Sequence, residues 1–179
     1  LLGDLSKLTH TATMELPFLK NKTYRIIQGN NTNHTHSTEY SKYAVDFNLK
    51  VNDTICSATS GFVVSKRDNY KYGGTNSKWR PFSNFITIYE PESGIFTQYV
   101  HLVHKGSLVQ IGDIIEIGQP IALSGETGWT DTPHLHFNTL IPVNTNTGLK
   151  SIPFQLKVGY NSQEFKKNDL VTKGVILKK

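Results

Sequence analysis

The chain lacks the features that mark several large classes of protein. It contains a single cysteine among 179 residues, Cys56, so no disulfide can form within it. At this length a single domain can bury a core large enough to fold without disulfides or metal. No segment approaches the roughly 18 apolar residues of a membrane span. The opening LLGDLSKLTH also lacks the charged and apolar regions of a signal peptide, so we expect a mature or trimmed chain.

A concentrated basic stripe is also missing, although the formal net charge is +5. The lysines are scattered, and the densest groups are Lys166-Lys167 and Lys178-Lys179. Nucleic-acid-binding surfaces cluster their positive charge on one face, so we predict no nucleic-acid partner. The charge is interpreted either as a solubilising surface bias or as a site for some other polyanion.

Helical periodicity is weak throughout, whereas short β-branched and aromatic runs recur between turn residues. These runs include YAVDFNL, GFVVSKR, NFITIYE, IFTQYVHLV and HLHFNTL. Clusters of glycine, asparagine, aspartate and proline separate them at hairpin-like intervals. The pattern predicts an all-β, mostly antiparallel protein, with residues 1–179 forming one domain and the segment 151–179 adding strands to it.

The longest polar interruption is Asn69–Pro81, with the sequence NYKYGGTNSKWRP. Its glycine pair and its aromatic residues suggest an excursion that walls a groove, because binding residues concentrate on such loops. A long hairpin loop without a role in binding is the alternative.

The stretch TPHLHFNTL places His134 and His136 two residues apart. Successive side chains of a strand point to opposite faces, so both imidazoles would share one face while Leu135 and Phe137 enter the core. An isolated pair of this kind also occurs on exposed edge strands, so other residues must distinguish the two interpretations.

Two further segments supply matching chemistry. In YAVDFNL the core-facing positions are Val45 and Phe47, which leaves Asp46 on the opposite face. In TQYVHLVHKG the same alternation predicts that Tyr99 and His101 share a face. Two histidines and one carboxylate around an open fourth position form the ligand set of a catalytic zinc site, where the metal lowers the pKa of water to about 7.

From about Gln28 to Phe137 the sequence resembles the lysostaphin-like, or LytM-type, zinc metallopeptidases of peptidase family M23. The resemblance rests on YAVDF, on the small-residue turn and strand SATSGFVV, on YVHL, and on VQIGDIIEIGQPIALSGETGWTDTPHLHF. It implies a barrel-sandwich hybrid fold with a duplicated hybrid motif.

The resemblance also implies residue roles. Asp46 and His136 would bind Zn²⁺, and His101 and His134 would be the catalytic histidines. The third metal ligand is predicted to be His36, with His34 as the alternative, since both precede Asp46. Which of the two catalytic histidines acts as the base stays open.

The function implied by the resemblance is zinc-dependent hydrolysis of peptide bonds in bacterial peptidoglycan, at its cross-links, in an extracytoplasmic location. The main alternative is a metal-free LytM-like scaffold that binds and activates a cell-wall hydrolase, although such proteins lose ligands that this chain keeps. A carbohydrate- or lipid-binding β module is the third interpretation.

Overall fold

The structure is a computed structural model that describes residues 12–32, 35–144, 148–157 and 159–177. Short strands dominate these ranges, and the only helices in them are two 3-10 turns, Ser77–Phe82 and Ser162–Glu164. The strands are β1 (Ala12–Met14), β2 (Thr23–Gln28), β3 (Val45–Phe47), β4 (Thr54–Cys56), β5 (Gly61–Arg67), β6 (Gly73–Gly74), β7 (Phe85–Glu90), β8 (Ile95–Val100), β9 (Leu102–Ser107), β10 (Ile114–Ile115), β11 (Pro120–Ser124), β12 (Gly128–Trp129), β13 (Leu135–Pro142), β14 (Leu149–Ser151), β15 (Phe154–Leu156), β16 (Leu170–Thr172) and β17 (Val175–Leu177).

One ten-stranded sheet organises the molecule, in the order β10-β5-β7-β8-β13-β3-β2-β16-β17, with β14 paired to β13. A second sheet contains β4, β11 and β9. All pairings in these two sheets are antiparallel, whereas the short pairs β1-β15 and β6-β12 are parallel. The predicted all-β, mostly antiparallel class is confirmed. Within the described ranges, no helix has the length and hydrophobicity needed to cross a lipid bilayer.

The alternation predicted for β3 and β13 is present. Leu135, Phe137, Val45 and Phe47 are fully buried in the apolar core. Register pairs His136 with Asp46, and paired residues of neighbouring strands point to the same face, so the opposite face carries the polar side chains. One face of β3 and β13 therefore packs against the core, and the opposite face presents Asp46 and His136.

The face predicted for Tyr99 is wrong. Tyr99 pairs with Phe137, is fully buried, and accepts a hydrogen bond from the Ala58 backbone N–H at 2.7 Å, so it belongs to the core face. Val100 takes the polar face beside His136. The next residue, His101, adopts a left-handed φ of 69°, which interrupts the alternation between β8 and β9. His101 thus reaches the polar face through a turn and not through strand periodicity.

The C-terminal segment adds strands to two sheets, the large sheet and the two-stranded sheet of β1 and β15. β15 pairs with β1, and β16 pairs with β2, which itself lies next to β3. Phe154, Phe165 and Val171 bury their side chains in the common core. The expectation of one domain over 1–179 extends beyond the described residues and stays a prediction.

Candidate metal centre and groove

Three side chains converge where β3 meets β13. Asp46 Oδ1 lies 2.8 Å from His136 Nδ1 and 3.2 Å from His36 Nε2, and the two imidazole nitrogens are themselves 3.2 Å apart. One ligand atom from each residue lies within 4.8 Å of the other two. Asp46 and His136 come from paired strands, whereas His36 enters from the loop between β2 and β3. Two imidazoles and one carboxylate at this spacing suit a zinc ion.

The orientation of His36 is set by a backbone carbonyl. Its Nδ1 lies 2.9 Å from the Gly29 oxygen, and a carbonyl can only accept, so Nδ1 carries the proton. In the neutral ring the lone pair is therefore on Nε2, the atom that faces Asp46. A backbone carbonyl in this position is a common outer-shell partner of a metal-binding histidine.

His101 and His134 lie beside this cluster and are oriented in the same way. His101 Nδ1 is 2.7 Å from the Thr127 carbonyl oxygen, and His134 Nδ1 is 2.8 Å from the Thr132 carbonyl oxygen. With Nδ1 as the proton carrier, the neutral form of either ring presents an unprotonated Nε2. The ring centroids are 4.5 Å apart, and His134 Nε2 lies 3.8 Å from Asp46 Oδ2. The pair is close enough to act on one substrate group.

Burial and the interactions among the clustered side chains shift the pKa values of Asp46, His36, His136 and His101. Burial raises the pKa of Asp46, but His36, His134 and His136 together hold it well below its usual range. Burial lowers the pKa of His36, yet the charge and hydrogen bond of Asp46 outweigh it and raise that pKa. Burial lowers the pKa of His136 despite Asp46. Burial and the neighbouring His134 and His136 lower the pKa of His101 to about 3, so this imidazole is neutral near pH 7.

The left-handed turn at His101 is held by Asn84, which is fully buried. The Asn84 carbonyl accepts the His101 N–H at 2.9 Å, and its side chain donates to the Leu102 carbonyl at 3.3 Å. Thr127 Oγ1 accepts the Asn84 N–H at 3.0 Å and donates to the Leu102 carbonyl at 2.8 Å. Because the Thr127 carbonyl also orients the His101 ring, one hydrogen-bond network sets both the backbone and the tautomer of His101.

A groove with a volume of about 1330 Å³ is lined by Asp46, His101, His134 and His136. Its walls come from the end of β2 and the loop after it, the excursion after β5, β12 and the loop after it, and a C-terminal segment. The lining residues from these walls include Gln28, Thr35, Tyr40, Thr75, Arg80, Trp129, Thr132, Phe165 and Lys166.

The excursion Asn69–Pro81 borders this groove through Thr75 and Arg80. This position matches the interpretation of the segment as a groove wall. It is anchored by the parallel pairing of β6 with β12. At Gly73 a Cβ atom would overlap the carbonyl oxygen of Glu126, so glycine permits the close approach of the two backbones.

All five residues that the sequence pointed to come together. His36, Asp46 and His136 form the cluster, and His101 and His134 flank it. The alternative ligand, His34, lies outside the described residues. Sequence reasoning missed the orienting carbonyls and Asn84, because backbone acceptors and an asparagine just before a strand have no distinctive local pattern.

The chain is similar in sequence to a known peptidase family and to named peptidases. The profile of peptidase family M23 matches residues 40–147, a span that contains Asp46, His101, His134 and His136 and begins after His36. A glycyl-glycine endopeptidase of Staphylococcus capitis is 33% identical over 122 residues, which is 67% of this chain and 30% of that protein. A peptidoglycan DD-endopeptidase of Vibrio cholerae is 32% identical over 102 residues, 55% of this chain and 21% of that protein.

A solved structure is similar in fold as well. The structure of the antimicrobial peptidase lysostaphin from Staphylococcus simulans superposes on this chain with a TM-score of 0.54 and 26% sequence identity. The match covers 80% of this chain and 51% of the lysostaphin chain. The chain spans less than a third of the length of the two curated relatives. Because the family profile covers more than half of the sequence, this chain belongs to peptidase family M23.

Proposed function

We propose that this protein is a zinc-dependent endopeptidase that hydrolyses peptide bonds in the cross-links of bacterial peptidoglycan, outside the cytoplasm. The observation that carries the proposal is the convergence of three ligand atoms from His36, Asp46 and His136 within 4.8 Å, with Asp46 and His136 lining the groove and His36 buried behind it. Relatives named as glycyl-glycine endopeptidase and peptidoglycan DD-endopeptidase support the choice of substrate. The same ligand residues would be unnecessary in a metal-free scaffold that only binds a hydrolase.

In this proposal His36 Nε2, Asp46 and His136 Nδ1 hold Zn²⁺. A zinc ion held there would supply Lewis acidity toward the scissile carbonyl and toward a water nucleophile near neutral pH. The chain's own contribution is to supply three ligands and to orient them. The Gly29 carbonyl keeps the proton of His36 on Nδ1, away from the ligand atom.

His101 and His134 act as general base and general acid in this proposal. One neutral ring accepts the proton of the attacking water at Nε2, where its lone pair lies, and becomes an imidazolium. The imidazolium then gives this proton to the leaving amine, either directly or through the other ring. A ring that carries a proton on Nε2 also stabilises the negative oxygen of the tetrahedral intermediate. The Thr127 and Thr132 carbonyls favour both steps, since each holds Nδ1–H and keeps Nε2 directed at the groove.

Zinc content tests the proposal directly. Purified protein is expected to contain or take up about one zinc per chain, because three protein ligands can form a catalytic site. Hydrolysis of purified peptidoglycan, followed by mass analysis of the fragments, should cease with a chelator and return with added zinc. Folded protein that binds no zinc in excess metal would favour the scaffold interpretation, and hydrolysis that persists in chelator would require a different mechanism.

The two upstream histidines are expected to differ on substitution. His36→Ala should abolish zinc retention, since His36 supplies one of three converging ligand atoms. His34→Ala should leave zinc content near that of the unmodified protein and is the matched control. Elemental analysis of both variants, with circular dichroism to verify folding, decides between them. The reverse result would make His34 the ligand without affecting membership of the family.

A further inference from the structure

A single row of paired residues crosses the large sheet and leads away from the cluster. Asp46 lies opposite His136, His136 opposite Val100, Val100 opposite Phe85, and Phe85 opposite Arg67. Laterally paired residues point to the same face of a sheet, and all five line the groove. The row is therefore a continuous floor with the proposed metal site near one end and Arg67 at the other.

The Arg67 side chain is held in place by its surroundings. Its guanidinium lies 4.9 Å from the centre of the Phe85 ring and 5.2 Å from that of Tyr70, and its Nε donates to the Ser83 carbonyl at 2.9 Å. Stacking and the Nε hydrogen bond fix the plane of the guanidinium. The terminal nitrogens remain for a ligand.

Neighbouring acidic groups do not neutralise this arginine. Asp68 lies 3.6 Å from Lys66 Nζ, and across the described ranges no carboxylate lies within 4.0 Å of the Arg67 guanidinium. The acidic residues among those that line the whole groove are Asp46, which contacts the histidines at the other end of the row, and the exposed Asp131.

A second arginine adds positive charge to the same end. The Arg80 guanidinium lies 4.8 Å from the centre of the Trp129 ring, and both residues line the wall above the row. The Trp129 Nε1–H donates to the Thr75 carbonyl at 3.0 Å, which positions the ring. This end of the groove thus combines two guanidinium groups that stack on aromatic rings.

We propose that Arg67, supported by Arg80, binds a carboxylate of the substrate peptide and selects acidic peptide chains over neutral ones. The proposal rests on the proposed function, because it assigns a specificity to the same groove. A planar guanidinium matches a carboxylate in a bidentate geometry, which a peptide of glycines alone does not offer within the chain. The substrate class is therefore a peptide with a free side-chain or α-carboxylate on the Arg67 side of the scissile bond.

Strand spacing gives the position of that carboxylate. Arg67 is three strands from His136, which at about 4.8 Å per strand is roughly 14 Å. An extended peptide advances about 3.3 Å per residue, so this span equals about four residues, less the reach of the arginine side chain. The carboxylate should lie about two to four residues from the bond that is cut.

The test compares two forms of one substrate. Soluble cross-linked peptidoglycan peptides with free carboxyl groups are compared with the same peptides after conversion of those groups to carboxamides. For the zinc-loaded protein, kcat/KM is expected to fall about ten- to a hundredfold on amidation, as for loss of a charge-assisted hydrogen bond. In Arg67→Gln the two forms should be hydrolysed within about twofold of each other. Arg25→Gln is the matched control, since Arg25 is exposed and does not line the groove, and it should keep the full preference.

A binding measurement separates this inference from the proposed activity. Calorimetric titration of zinc-loaded His134→Ala with the same two peptides should give the same ratio of affinities, which Arg67→Gln introduced in that background should remove. Equal rates and equal affinities for both forms would overturn the inference and leave the proposed function intact. If neither form is cut by the zinc-loaded protein, the proposed function fails, and the affinity ratio alone decides the role of Arg67. A preference that survives Arg67→Gln but disappears in Lys166→Gln would place the carboxylate at the opposite end and also overturn the inference.

Discussion

His136→Ala is expected to lose zinc and peptidoglycan hydrolysis together, whereas His134→Ala should keep zinc and lose turnover by about 10²–10⁴-fold. Both histidines lie on the same face of the sheet, but their surroundings differ. His136 Nδ1 lies 2.8 Å from Asp46 Oδ1 and 3.2 Å from His36 Nε2. Removing it leaves two donors, and a two-ligand site holds metal less well.

His134 Nε2 is farther from the carboxylate, at 3.8 Å, and its other nitrogen is bound to the Thr132 carbonyl. Removing this ring takes away a proton carrier or an oxyanion donor without removing a proposed ligand. The measurements are zinc per chain and the rate of fragment release, with circular dichroism as the control for folding. Loss of metal in His134→Ala with retention in His136→Ala would mean that the two roles are exchanged. Full zinc content and activity in both variants would show that neither histidine of TPHLHFNTL binds zinc or takes part in catalysis.

His101→Ala is expected to retain zinc and to lower turnover by about 10²–10⁴-fold as well. The ring is buried, its pKa is lowered to about 3 by burial and by His134 and His136, and its Nε2 is therefore free to interact with substrate or water near pH 7. The His101→Ala, His134→Ala double variant should lose little more than either single variant. Residues that act as one unit on the same protons are not additive.

Kinetics of the two single variants and the double variant, at matched zinc content, test this expectation. Because residue 101 has a φ of 69°, which is unfavourable for any residue with a Cβ atom, His101→Gly serves as a second variant that relieves this backbone strain. Comparable loss of turnover in both would assign the effect to the missing imidazole. Multiplicative losses in the double variant would show that the two rings work in separate steps, and unchanged turnover in His101→Gly would exclude a catalytic role for His101.

The candidate site residues, a carboxylate and several histidines on polar strand faces, could be predicted from the sequence because period-two alternation is a local property. Val45 and Phe47 on one face with Asp46 on the other, and the same pattern at Leu135–Phe137, follow from strand geometry alone. The same rule failed at Tyr99, since a left-handed residue at His101 shifts the face that follows. Nothing in the sequence TQYVHLVHKG signals this turn, which depends on Asn84 and Thr127 from other parts of the chain.

The sequence by itself therefore determined the all-β class, the family resemblance, and the set of histidines and carboxylate, because these depend on residue types and their spacing along the chain. Only the tertiary structure decided which atoms face one another. Pairing of β3 with β13 brings Asp46 within 2.8 Å of a residue 90 positions away, and the loop after β2 delivers His36 to the same point. The tautomers depend on backbone carbonyls supplied by distant loops, and the row that ends at Arg67 depends on the register of five strands. Such contacts arise from long-range packing and are set by no single stretch of sequence.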